Sequence, residues 1–181
     1  SGDLLGASYE EPFERITEDF AFYPGVIDVV VPAGDYPMQQ GSIYLNTFQG
    51  RRFWSNLVAL AGSFYGGHKT TVTCELMAKF SPHFSVESRY EWDRVRIPGG
   101  DFDVNLWVTR FNVAISPNLF GSALVQVDDI DDNIDLNLRV DWIHHPGSDL
   151  FFVYNESRNL RLQPGEPAVN ARDTTAKLTY L

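Results

Sequence analysis

The chain has one cysteine, Cys74, in 181 residues, and a lone thiol excludes an internal disulfide framework. It has no apolar run of the roughly 18 to 20 residues that a membrane-spanning helix needs. It has no basic excess either. Fourteen Lys and Arg against 24 Asp and Glu leave a formal charge of −10, with a pI near 4.7. That balance argues against a nucleic-acid partner, which would need a basic stripe. No Gly-rich phosphate loop, G-x-S-x-G elbow, H-E-x-x-H pair or zinc-ligand spacing occurs, so the chain reads as a non-enzyme. Ser1-Gly2-Asp3 is not a charged-then-apolar leader, and the chain is read as a mature form or a piece of something longer.

What is present is alternation. From Asn133 to Trp142, Ile134, Leu136, Leu138, Val140 and Trp142 fall on one face of an extended strand, and Asn133, Asp135, Asn137, Arg139 and Asp141 on the other. His144 to Asp149 supplies a turn, and a second strand runs to Asn155. The same pattern recurs. Phe84, Val86, Tyr90 and Trp92 oppose Ser85, Glu87, Arg89, Glu91 and Asp93, and Val72, Cys74, Leu76, Ala78 and Phe80 oppose Thr71, Thr73, Glu75, Met77 and Lys79. Residues 1–11 read as a flexible lead-in, Phe13 to Tyr23 as a first strand, and residues 12–181 as a single domain of about ten strands. Apolar residues at 44%, aromatics at 14% and charged residues at only 21% suit a folded chain.

Strands of a dozen residues are long for a globular sandwich, where five or six is usual. The connections predict two classes: terse turns at Gln49-Gly50, Ser81-Pro82, Ser116-Pro117 and Pro146-Gly147, and longer or Gly-rich and acidic ones at Gly66-Gly67, Pro98-Gly100, Asp128-Asp132 and Gln163-Pro167. Short turns on one side and longer loops on the other are the habit of outer-membrane barrels, and the count of strands would place the C-terminus on the periplasmic side. Aromatics near strand ends, such as Phe53, Trp54, Phe80, Phe84, Trp92, Trp142 and Tyr180, fit interfacial girdles. A soluble β-sandwich alternates as well, and periodicity alone does not choose between the two.

The segments FYGGHKTTV, SPHFSVESRYEWDRVRIPGGDFDVNL, AISPNLFGSALVQV, LRVDWIHHPGSDLFFVYNE and PFERITEDFAFYPGVIDVVVPAGDY resemble the C-terminal region of the DUF5916 family. This family comprises bacterial proteins in which a sugar-binding-like module precedes an outer-membrane β-barrel region. The resemblance covers most of the chain from about Pro12, with PGGDF and PGSDLFFVYN as its more specific parts, and it implies no catalytic residues. The sugar-binding-like module is not among these residues, and the chain ends in Leu181 beside Tyr180 where such barrels commonly end in an aromatic.

The expectation is therefore an all-β, antiparallel, up-and-down transmembrane β-barrel of about ten strands, or the C-terminal strands of a larger one, in the bacterial outer membrane. It would act as anchor, scaffold or transport conduit, with the lipid bilayer and lipopolysaccharide as partners and another chain completing it if it does not close alone. The alternatives are a soluble sandwich or lipocalin-like binding module, and a β-rich subunit of an extracellular or membrane assembly. Lumen-facing, solute-contacting candidates are Glu75, Glu87, Arg89, Glu91, Asp93, Arg110, Arg139 and Asp141. Asp128, Asp129, Asp131 and Asp132 read first as a solvated acidic loop, and second as a Ca²⁺ or lipopolysaccharide-bridging loop without EF-hand spacing. No other cofactor is expected. His144 and His145, adjacent on a strand, would point to opposite faces and not chelate one ion.

Overall fold

The structure, a computed structural model, describes residues 2–162, 165 and 167–180. The expected Gln163–Pro167 loop is thus described only at Gly165 and Pro167, and the terminal Leu181 lies outside the described residues. Among the described residues every regular element is a strand. In chain order these are β1 (Leu4–Glu10), β2 (Phe13–Ile16), β3 (Phe20–Phe22), β4 (Val29–Val31), β5 (Gly34–Pro37), β6 (Gln40–Asn46), β7 (Phe53–Phe64), β8 (Gly67–Ser81), β9 (Phe84–Ile97), β10 (Gly100–Ser116), β11 (Leu119–Asp128), β12 (Asn133–His145), β13 (Ser148–Asn159) and β14 (Val169–Thr179).

Ten of them form one sheet in the order β1-β6-β7-β8-β9-β10-β11-β12-β13-β14, while β2 pairs with β5 and β3 with β4 in two small sheets. The pairings are antiparallel. β1 and β14 are the two edges of the ladder, and among the described residues they do not pair with each other, so the sheet is not closed into a barrel. Packing divides the chain into two units, Ser1–Glu75 with Tyr90–Leu106, and Leu76–Arg89 with Trp107–Leu181.

Three expectations are corrected. Residues 4–10 are not a flexible lead-in. They pair along their whole length with β6, from Leu4 opposite Asn46 to Glu10 opposite Gln40. The alternation Leu5, Ala7, Tyr9 against Gly6, Ser8, Glu10 was already a strand signal, masked by the glycine and the charge at its end. The stretch Phe13 to Tyr23 is not one strand but β2 and β3. They are separated at 17–19, where the Asp19 carboxylate accepts a hydrogen bond from the Ala33 backbone N–H at 2.8 Å. Loop length does not sort the connections into two classes. Gly66 belongs to a two-residue turn and Pro98-Gly99 is another, whereas Gln49-Gly50 sits in a six-residue connection between β6 and β7. Glycine there marks tightness rather than length.

In the first unit the chain between β1 and β6 folds back as the β3–β4 hairpin and covers one end of the sheet. Val29, Val31, Val95 and Ile97 are buried there, with Phe20, Phe22, Ile27, Tyr36, Phe64, Tyr65 and Phe102 packed around them. Val31 is 1% exposed. Gly99 has no room for a side chain, because a Cβ there would collide with the Val30 carbonyl. The β7–β8 turn is Tyr65-Gly66, with φ of 45° and 80°. Positive φ at both central residues is the two-residue hairpin geometry that matches strand twist. A tyrosine in that region costs about 1–3 kcal/mol. Its surroundings hold it. The Tyr65 ring lies 5.8 Å from Phe20, 5.2 Å from Tyr36 and 4.4 Å from Phe64, and its hydroxyl donates to Glu14 at 2.6 Å.

Val31→Ala is expected to remove about 2 kcal/mol from this cap. Limited proteolysis should then cut within residues 17–35 well before the β11–β14 strands are touched.

Candidate functional site

The site is built from the face that the strands present to polar side chains. In the second unit the register of β11, β12 and β13 places Ser122 opposite Arg139, Gln126 opposite Asp135, Asn137 opposite Asn155 and Phe120 opposite Asp141. Directly opposed residues share a face, so these form one polar wall. The other face takes Leu119 opposite Trp142, Ala123 opposite Leu138, Val125 opposite Leu136 and Val140 opposite Phe152. The hydrophobic residues of that wall stay open: Ile115, Val140, Trp142, Phe152 and Leu178 are exposed, Leu178 at 73%.

On the polar wall Arg139 grips Asp141 through two bonds, Nε at 2.8 Å and Nη2 at 3.2 Å, and lies 4.7 Å over the Phe151 ring. Asn137 donates to Asn155. Arg110, Arg139 and Asp141 line one open cavity of about 710 Å³, reached also by Lys79, Ser85, Asn112 and Ser122. Three of the sequence candidates, drawn from β10 and β12, thus come together. Glu87 and Arg89 stand at alternate positions of β9 in the same unit, both exposed.

In the first unit Asp93 on β9 holds two residues of β8. Lys69 Nζ lies 2.9 Å away, and the Thr71 hydroxyl donates to the same carboxylate. Glu75 accepts a bond from Asn56 at 3.0 Å, and Glu91 is half-buried two positions before Asp93. These partly buried partners make a ladder of charge and amide groups across β7, β8 and β9, with Glu75 and Asp93 each matched to a donor.

The acidic loop is held by local bonds. Asp128 accepts from the Ile130 N–H at 2.9 Å, Ile130 is buried, and Asp132 turns through φ 49° with Arg161 at 3.4 Å. Among the described residues no group of three or more His, Cys, Asp or Glu converges on a point where a metal ion would sit. The loop is organised by one buried isoleucine and local hydrogen bonds. The His144 and His145 rings are 4.1 Å apart, contrary to the opposite-face expectation, because a register shift between Ile143 and His145 breaks the alternation there. Cys74 is a free, half-buried thiol.

Sequence reading missed two charged clusters on the apolar face. In the second unit Glu156 is buried, its side chain 5% exposed, between Arg158 and Arg172, and it also accepts from the Tyr154 hydroxyl. In the first unit Arg94 and Arg96 meet Asp103 at 3.5 and 2.8 Å, and Arg94 lies 5.5 Å over Trp92. The signal was present in part. On β9 the apolar row Phe84, Val86, Tyr90, Trp92 is followed at the same spacing by Arg94 and Arg96.

Compared with protein-family models, curated proteins and solved structures, the chain matches none. The resemblance to DUF5916 therefore rests on the residues quoted above.

Burial, and then the bond to the Glu14 carboxylate, push the Tyr65 phenol up to about 12 from its ordinary 10. A raised folded-state value means that this contribution to stability is complete below pH 10 and is lost as pH rises toward 12. An ultraviolet titration of tyrosinate is expected to show a tyrosine ionising near pH 12, absent from Tyr65→Phe.

Proposed function

We propose that this chain is an outer-membrane β-barrel protein of a bacterium, or the strands of a larger barrel, acting as a membrane anchor or transport conduit and not as an enzyme. One observation carries the reading. The ten-strand sheet has an apolar face that the described residues leave uncovered, and on β9 and β13 charged residues enter that face beyond an aromatic at the end of the row. On β9 the row ends at Trp92 before Arg94 and Arg96, and on β13 it ends at Tyr154 before Glu156 and Arg158. An apolar band bounded by interfacial aromatics and then charge is the pattern a bilayer selects.

The dimension agrees. From Ile134 to Trp142 the apolar row of β12 spans eight residue steps, about 27 Å along the strand. At a tilt of about 40° this projects to roughly 21 Å, close to the ~25 Å band of outer-membrane barrels. A soluble sandwich would instead bury this wall against a second sheet, yet Leu5, Ile43, Leu76, Trp107 and Ile115 are all exposed. In lipid every backbone polar group must be paired. The two edges, β1 and β14, would then be joined to each other or to strands of another chain.

On this reading lipid and lipopolysaccharide meet the apolar band and its charged rims. Glu75, Glu87, Arg89, Glu91, Asp93, Arg110, Arg139 and Asp141 face water inside and set the selectivity of any solute path.

The deciding test is extraction and heat-modifiability. The native chain is expected to need detergent and to migrate differently on gels before and after boiling. Solubility in water with no mobility shift would defeat the membrane reading. A sharper comparison uses two neighbours on β11. Val125→Arg, on the apolar face, should cost about 2–4 kcal/mol of stability in a bilayer. Gln126→Arg, opposite Asp135 on the polar face, should cost less than about 1 kcal/mol. Equal costs would mean that neither face meets lipid.

A further inference from the structure

The cavity of about 710 Å³ on the polar face of the second unit departs from the charge of the rest of the chain. The protein carries −10 overall, yet the charged lining of this cavity is Lys79, Arg110 and Arg139 against Asp141 alone. Its volume lies within the ~300–1,000 Å³ of small-molecule sites.

The two arginines are in different states. Asp141 occupies Nε and Nη2 of Arg139, which leaves the Nη1 donors of that guanidinium unused by the pair. Arg110 makes no ion pair or hydrogen bond among the described residues. A planar guanidinium without a carboxylate, lining the same cavity as a second one held in place by Asp141, offers donors that suit an oxyanion. Two parallel N–H donors match two anion oxygens, and the pinned neighbour loses little entropy when it adds a third bond. Neutral donors surround them: Asn112, whose amide reaches Ser85 at 3.5 Å, together with Ser122 and Asn137. This wall would suit a hydroxylated anion better than a bare inorganic ion.

We propose that this cavity binds a small oxyanion, the carboxylate or phosphate group of a polar solute, with Arg110 as its principal ligand and Arg139 and Lys79 supplying further positive charge. The site lies on the polar face whichever medium meets the apolar one, so the proposal goes beyond the membrane reading and does not depend on it.

Isothermal titration of the full chain, in detergent or in water as its extraction dictates, is to be run with citrate and separately with inorganic phosphate. The expected result is saturable binding of at least one of them at one site per chain. That binding should weaken at least tenfold in Arg110→Gln and fall by a smaller factor in Arg110→Lys, which keeps the charge but loses the fork. It should be unchanged in Arg161→Gln, whose arginine pairs with Asp132 in a loop outside the cavity. Citrate alone binding would assign a carboxylate, phosphate alone a phosphate, and both the shared oxyanion chemistry. No saturable binding of either, or equal loss in Arg110→Gln and Arg161→Gln, would overturn the proposal. Because Arg110 is exposed and unpaired, its replacement should leave the fold intact, and an unchanged melting curve would verify that.

Discussion

A sheet has two faces, and the described residues cover only a small part of one. Everything else in the structure depends on that constraint. The β3–β4 hairpin closes over Val95 and Ile97 at one end of the polar side, and there the side chains pack as in any globular core. Across the remaining sheet the apolar wall is left to whatever medium surrounds the protein. Burying a single large aliphatic side chain is worth about 1.5–3 kcal/mol. A row of them on strand after strand therefore represents more free energy than a marginally stable domain can forgo. The wall must meet lipid, a partner, or a second layer.

The polar side is stabilised by different physics. Lys69, Thr71 and Asp93, Asn56 and Glu75, and Arg139 and Asp141 are matched pair by pair. Each match spares a partly buried group the cost of standing unpaired. Arg110 has no such match among the described residues, and it stands where the polar wall opens into a cavity. The clusters around Glu156 and around Asp103 belong to neither wall in the simple sense. They sit on the apolar side, past Trp92 on β9 and past Tyr154 on β13.

The cap shows how local strain is carried by tertiary packing. Tyr65 occupies a backbone region that suits glycine, and it stays there because four aromatic rings and the Glu14 carboxylate surround it. The same packing raises its phenol, so the turn, the cap and the titration of one side chain are consequences of a single arrangement. A turn built from glycines alone would make the hairpin without anchoring it to the cap.

The sequence by itself determined the strands and their two faces, because whether a side chain points to one side or the other depends only on its position relative to neighbours two residues away. That is why Ile134 to Trp142 and Phe84 to Trp92 were legible, and why Arg139 and Asp141 could be placed on a polar wall beforehand. Tertiary structure alone decided which polar residues meet. Arg110 reaches the cavity of Arg139 and Asp141 only through the register of the successive hairpins β10–β11 and β11–β12, and hairpin register is set by turn type and loop length, which alternation does not report. It also decided that Leu4–Glu10 is an edge strand and that Phe13 to Tyr23 breaks in two. The His144 and His145 rings meet because a bulge cancels the alternation between them. For Leu4–Glu10 the deciding partner is β6, far along the chain, where a local pattern has no view of it.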